Sequence, residues 1–203
     1  MKTFREHLTE AAKVRTRRPV VFTMMRANPP TAGHVKVVQR VLNIAKAQKA
    51  THEIVLSGTQ DSKRNPLKPE LKLQHFQKLF PNVNFTVATQ VEPGFMNHVQ
   101  RLHRAGHDHL VVVAGSDRAG EYKDLLKRYA KDLPGFKKTQ VLSAGKRDED
   151  AEDWHGISSS KMREHAKNND MKEFGKGLPK NTSKEYTERL FNDTRRGMKL
   201  KVE

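Results

Sequence analysis

The apolar residues fall into short unbroken runs, separated by stretches in which they recur every three or four positions. Pro19-Val20-Val21-Phe22-Thr23-Met24-Met25 is such a run, bounded by turn formers, and predicts a buried strand. Val35, Val38, Val41, Leu42 and Ala45 then follow at helical spacing, so a helix is expected to start near Gly33. The same reading predicts strands over 53–58, 84–88, 108–115 and 139–143. It predicts helices over 70–80, 96–105, 121–131 and 160–168, with Leu71, Leu73, Phe76, Leu79 and Phe80 as the apolar side of the first of these. Residues 1–18 read as a polar, partly helical leader, and 181–203 as a charged segment forming one helix outside the core.

Strands alternate with helices from Val20 to Ser143, and the strand runs are apolar throughout. That pattern predicts an α/β fold: a doubly wound, Rossmann-like parallel sheet covered on both faces, with a helical C-terminal appendage. The expected units are a leader (1–18), the α/β domain (19–179) and a helical tail (180–203). Ligands of such folds bind beyond the carboxyl ends of the strands. Here that edge gathers the loop 26–34, the loop 57–66, Gly115-Ser116-Asp117-Arg118 and the segment 144–160.

Composition narrows the classes. The chain has no Cys, which excludes disulfides, thiolate zinc sites and Cys nucleophiles. No apolar run approaches the ~20 residues that span a bilayer, and the leader has no apolar core, so the expectation is a soluble cytoplasmic protein without a membrane partner. The net charge of +16 favours polyanionic partners: nucleic acid, anionic surfaces or phosphorylated small molecules. Basic residues are spread along the chain and aromatics are only 6%, so an interleaved stacking platform for nucleic acid is not seen, and composition alone does not choose among these partners. His98, His103, His107 and His109 put no three rings on one face, and no protein-held metal site is expected. Oligomeric state is not encoded in any pattern here.

Two segments carry candidate chemistry. Thr31-Ala32-Gly33-His34 opens a helix directly after the first strand, where unpaired N–H groups and the positive end of the dipole favour phosphate. Gly33 would let the backbone approach a ligand, with His34 beside it. Farther on, Gly156-Ile157-Ser158-Ser159-Ser160-Lys161-Met162-Arg163 places three hydroxyls and two cations at another helix start. Cations are unfavourable at that end of a helix unless an anion neutralises them.

Together these segments resemble the two signatures of the HIGH superfamily of nucleotidylyltransferases, (His/Thr)-x-Gly-His and Ile-Ser-Ser-Thr-x-x-Arg. The stretch Arg26-Ala27-Asn28-Pro29-Pro30-Thr31-Ala32-Gly33-His34 is similar to the Gly-Arg-Phe-x-Pro-x-His-x-Gly-His loop of nicotinamide-mononucleotide adenylyltransferases, especially the archaeal type. Asn65-Pro66-Leu67 and Lys72 stand where that branch has a turn after the second strand and a basic residue on the next helix. The resemblance covers about residues 19–179. It departs at Met25, where the family has glycine, at Ala27, where it has an aromatic, and mildly at Ser160 for threonine.

The resemblance implies transfer of a nucleoside monophosphate from a triphosphate, ATP ahead of CTP, to a phosphorylated acceptor such as nicotinamide mononucleotide, with release of pyrophosphate. Attack on the α-phosphorus would be in line. His34, Thr31 and Arg163 would be catalytic; Arg26, Ala27, Asn28, Gly33, Ile157, Ser158, Ser159, Ser160 and Lys161 would bind the nucleotide, and Lys63 or Arg64 would add a phosphate contact. Asp117 and Trp154 are candidates for the acceptor, and Mg²⁺ would accompany the triphosphate. A cytidylyltransferase is the neighbouring alternative. A catalytically silent basic protein on the same fold, serving a nucleic-acid-binding or structural role, is the alternative of another class. Leu8-Thr9-Glu10 also resembles the Leu-x-Glu processing sites of tailed-phage prohead proteins, which would extend the location from a host cytoplasm to a virion.

Overall fold

A computed structural model describes residues 18–145 and 157–202; the leader motif at 8–10, the acidic run at 148–153 and Trp154 lie outside them. Its centre is a five-stranded, all-parallel sheet in the order β3-β2-β1-β4-β5. The strands are β1 (Pro19–Met25), β2 (Thr51–Leu56), β3 (Phe85–Val87), β4 (His109–Ala114) and β5 (Lys138–Ser143). Four helices connect them: α1 (Ala32–Gln48), α2 (Pro69–Leu79), α3 (Phe95–Arg104) and α4 (Ser116–Arg128). The chain closes with α5 (Ser159–Lys167), the short α6 (Met171–Gly175) and α7 (Lys184–Gly197). The doubly wound α/β fold expected from the pattern is thus present.

Strand side chains alternate between two cores, which is why the strand runs are apolar throughout. Val21, Ile54, Leu56, Val111 and Val113 pack against Val37, Val38 and Val41 of α1 and Phe76 of α2. Val20, Phe22, Val55, Leu110 and Val112 face the other way, onto Phe95 and Val99 of α3 and Tyr122 and Leu126 of α4. β1 pairs with β2 on one side and β4 on the other, so the winding reverses between β1 and β4. Their carboxyl ends open the crevice where ligands of this fold class bind.

Three elements depart from the expectation. α4 starts at Ser116, five residues before the expected 121, because Ser116-Asp117-Arg118-Ala119-Gly120 has no apolar periodicity to mark it. On α2 the buried residues are Lys72, His75 and Phe76, while Leu71, Leu73, Leu79 and Phe80 are only half-buried. The helix lies between the sheet and α7 and so has two covered sides. α6, at five residues, is too short for periodicity to reveal.

The C-terminal segment forms one helix as expected, and that helix has an apolar cluster of its own beneath it. Tyr186, Leu190 and Phe191 of α7 share a third apolar cluster with Leu67, Met162, Ala166, Phe174 and Leu178. Each such side chain contributes ~1.5–3 kcal/mol by its burial. The expected boundary at 179/180 therefore runs through a single core. Among the described residues no helix is long and apolar enough to cross a membrane.

Two buried histidines make stability depend on pH. His75 lies 3.0 Å from Asp193 of α7, and burial pushes its pKa below the ordinary 6.5 although Asp193 pulls the other way. His98, between Glu53 and Glu92, is likewise pushed down by burial, against the pull of Glu53. The unfolded chain therefore binds protons near pH 6.5 before the folded protein does. Stability is full above that value and is lost as pH falls toward the lower folded values. Urea midpoints should drop between pH 7.5 and pH 5.5, and the drop should shrink in a His75→Gln/His98→Gln variant. An undiminished drop in that variant would assign the acid sensitivity to other groups.

Candidate functional site

The carboxyl ends of β1 and β4 border a cavity of about 520 Å³. The β1 end contributes Thr23 to Asn28, α1 contributes Gly33, His34, Lys36 and Val37, and the β4 end contributes Ala114 to Arg118. Ser158, Ser159, Ser160 and Arg163 enter from the far end of the chain. The two motif segments, over 120 residues apart in sequence, thus meet at one opening. Arg26, Lys36, Arg64, Arg118 and Arg163 line it, with Asp117 as the only carboxylate of its lining among the described residues. Arg118 is engaged by Glu121 at 3.0 Å, so the excess of positive charge gathers at the β1, α1 and α5 side.

The first loop is held by a reciprocal cap. The Thr31 N–H donates to His34 Nδ1 at 3.1 Å, and the His34 N–H donates to the Thr31 hydroxyl at 3.4 Å. A backbone N–H only donates, so Nδ1 is an acceptor and the imidazole carries its proton on Nε2. The cap thereby selects the tautomer. Ala32 N–H is spent on the Gly177 carbonyl at 2.8 Å, which leaves the Gly33 N–H as the first-turn amide of α1 without a hydrogen bond among the described residues. The anion-binding capacity of this helix start is narrower than its sequence implies. Ala27, buried at the turn, has φ 44°, a left-handed conformation that glycine adopts more readily. Met25 lines the opening, but most of its side chain belongs to the core on the α1 side.

The second motif is stitched to the first. Arg163 Nη1 donates to the Asn28 carbonyl at 2.7 Å, and Nη2 to the Ser160 hydroxyl at 2.9 Å. The Ser159 hydroxyl donates to the Pro29 carbonyl at 2.9 Å. Burial pushes the Arg163 pKa down, Arg26 and Arg64 add to the push, and Asp61 opposes it. Three guanidinium groups close enough to repel one another form a place where an anion is electrostatically favoured.

Asn28 joins these to a third segment. Its side chain accepts from the Leu67 N–H at 2.8 Å and donates to the Leu67 carbonyl at 3.3 Å, fully buried. The turn before Leu67 is organised by Asp61, whose carboxylate accepts from the Arg64 and Lys63 N–H groups and from the Asn65 amide; these bonds hold its pKa down at about 2. Replacing Asn28 by alanine strands two buried backbone groups, an expected loss of about 2–3 kcal/mol in unfolding free energy. A urea titration finding a loss under about 0.5 kcal/mol, the range of an ordinary surface substitution, would contradict this role.

Lys72 is fully buried, and its ammonium donates to the Ser57 carbonyl, the Ser57 hydroxyl at 3.2 Å and the Thr59 carbonyl at 3.3 Å. Burial first, and Arg26 second, bring its pKa down to about 8. It anchors the loop after β2 rather than lining the cavity, and Ser57 in turn bonds the Met25 and Arg26 carbonyls.

Of the residues singled out in the sequence, His34, Arg163, Arg26, Ala27, Asn28, Gly33, Ser158, Ser159, Ser160 and Asp117 line the cavity, as does Arg64. Four are not in its lining. Thr31 is buried with its hydroxyl inside the cap, so it orients His34 instead of standing beside it as a donor. Ile157 packs against the third apolar cluster. Lys161 is exposed and outside the lining, as is Lys63. Lys36, Arg118 and Tyr122 line the cavity without having been singled out. A signal for the first two was present: each is a cation near the start of a helix, the same kind of placement that drew attention to Arg163. Tyr122 stacks on Phe95 at 4.1 Å and donates to the Met24 carbonyl at 3.0 Å, so it walls the cavity as part of the core.

No protein-family model matches the chain, and no curated protein does.

Proposed function

We propose that the cavity binds a nucleoside triphosphate and that the protein is a nucleotidylyltransferase. The observation that carries this reading is the convergence of His34 and Arg163, from two distant motifs, on one cationic opening at the switch point of the sheet. A volume of about 520 Å³ lies within the ~300–1,000 Å³ range of small-molecule sites. Arg163, Arg64 and Arg26 supply the charge to hold β- and γ-phosphates, and the Gly33 amide and His34 Nε2–H supply donors for the α-phosphate.

The chemistry asked of these groups is positioning and charge stabilisation. An acceptor phosphate is already anionic near neutral pH, so its oxygen attacks the α-phosphorus without a general base. The α–β bridging bond breaks, and its electron pair leaves with pyrophosphate. Negative charge on the α-phosphoryl oxygens is met by the His34 donor, and charge on the leaving group by the guanidinium groups. Among the described residues no three His, Asp or Glu side chains stand together to hold a metal, and the lining offers only Asp117. Magnesium would accompany the nucleotide as its substrate complex, bound by phosphate oxygens and water.

By resemblance the favoured pair is ATP with nicotinamide mononucleotide, and CTP is the alternative nucleotide. Pyrophosphate release, measured with Mg²⁺ and each nucleoside triphosphate in turn beside nicotinamide mononucleotide and other phosphorylated acceptors, tests the reading. Turnover with ATP is expected. Turnover with CTP alone makes the protein a cytidylyltransferase, and silence with every pair leaves the cationic surface as a binding surface only.

A further inference from the structure

The last turn of α7 touches both sides of the motif junction. Arg195, 9% exposed, donates through Nη1 to the Ala166 carbonyl of α5 at 2.5 Å. Its Nε and Nη2 bond the Lys201 carbonyl at 3.1 and 2.6 Å, and the guanidinium lies 5.5 Å from the centre of the Phe191 ring. Ala166 is three residues beyond Arg163, one turn farther along the same helix. Two residues after Arg195, Gly197 lies so close to the Pro66 carbonyl that a Cβ there would collide with it. Pro66 precedes Leu67, the residue whose backbone holds the Asn28 side chain. Asn28 in turn holds Arg163. The loop formed by these contacts is closed: α7 to α5, α5 to Arg163, Arg163 to Asn28, Asn28 to Leu67, and Pro66 back to α7.

We propose that Arg195 is a positioning residue of the anion site, fixing α5 along its axis so that the Arg163 guanidinium reaches both the Asn28 carbonyl and the cavity. The inference rests on the reading of that cavity as a triphosphate site. A helix is stiff, so a shift at Ala166 is carried to Arg163 one turn away. A misplacement of about 1 Å at a reacting centre costs about a hundredfold in rate. Bonding to neutral carbonyls at a helix C-terminus suits an arginine, since its rigid fork meets two acceptors at once and the dipole there is negative.

The test compares full-length wild type, Arg195→Gln and Arg195→Lys in two readouts. Hydrogen exchange without ligand follows the amides of Lys161, Met162 and Arg163 and of Leu67. Steady-state pyrophosphate release gives kcat and KM for ATP per folded molecule. Arg195→Gln should speed exchange at these amides at least tenfold and lower kcat by about a hundredfold while KM changes less, with Arg195→Lys between it and wild type. The proposal is overturned if exchange rises only around 166–169 and 199–202, or if kcat is unchanged while only the melting temperature falls. Should Arg195→Gln not fold, the intermediate values of Arg195→Lys decide: wild-type exchange at 161–163 in that variant overturns the proposal equally. If wild type itself releases no pyrophosphate, the functional reading fails, and the exchange arm still judges the brace.

Discussion

Arg163→Ala is expected to lower kcat/KM by about a thousandfold, the largest effect of any single substitution in this protein, with a transition-state loss of about 4 kcal/mol. Two losses combine. A guanidinium that faces an anion is removed, and so is the stitch from α5 to the Asn28 carbonyl and the Ser160 hydroxyl. Arg163→Lys separates them. An ammonium keeps the charge but lacks the fork, so it can satisfy the anion or the stitch and not both. Its rate should fall between the two. Pyrophosphate release under first-order conditions in ATP measures this, and a rate within about threefold of wild type for the alanine variant, ~0.65 kcal/mol, would take Arg163 out of the mechanism.

His34→Ala is expected to lower kcat by about a hundredfold, about 3 kcal/mol, while the sheet and its two cores stay intact. The variant also loses half of the cap on α1, which costs roughly 0.5–1 kcal/mol of stability. His34→Gln distinguishes the roles. Glutamine at the third helical position completes a reciprocal cap with threonine, so Thr31 keeps its acceptor. This variant should melt close to wild type yet remain about a hundredfold slow, because no imidazole Nε2–H faces the α-phosphate. Normal turnover in His34→Gln would reduce His34 to a capping residue.

The central strands β1 and β4 were readable because both are buried on both faces and so leave a nearly unbroken apolar run, as in Leu110-Val111-Val112-Val113-Ala114. Helices with one covered side were equally plain. α2 was not, since its second covered side is polar: Lys72 is buried for the oxygens of Ser57 and Thr59, and His75 for Asp193. Nothing in the local pattern distinguishes such residues from solvated ones. The start of α4 was hidden for a related reason, because Gly115 caps it without a side-chain bond and its first turn is polar.

The motifs led to the cavity at the β1 and β4 ends, through their order and the switch-point rule. They did not give the division of labour within it. Thr31 and Asn28 look in sequence like ligand contacts, yet both side chains are spent on holding other parts of the site. Hydrogen bonds over such separations, 135 residues for Arg163 to Asn28, depend on how α5 docks, and α5 docks through a cluster shared with the C-terminal helix.

The most direct measurement is a calorimetric titration of ATP with Mg²⁺ into wild type, His34→Ala, Arg163→Ala and the double variant. One nucleotide per chain should bind wild type, more weakly as salt rises. Each single substitution should weaken it, and the two together by less than the sum of the separate losses, as for groups acting on a single bound polyphosphate. No heat with wild type, or equal affinity in all four proteins, would mean that the imidazole and the guanidinium do not serve a common ligand.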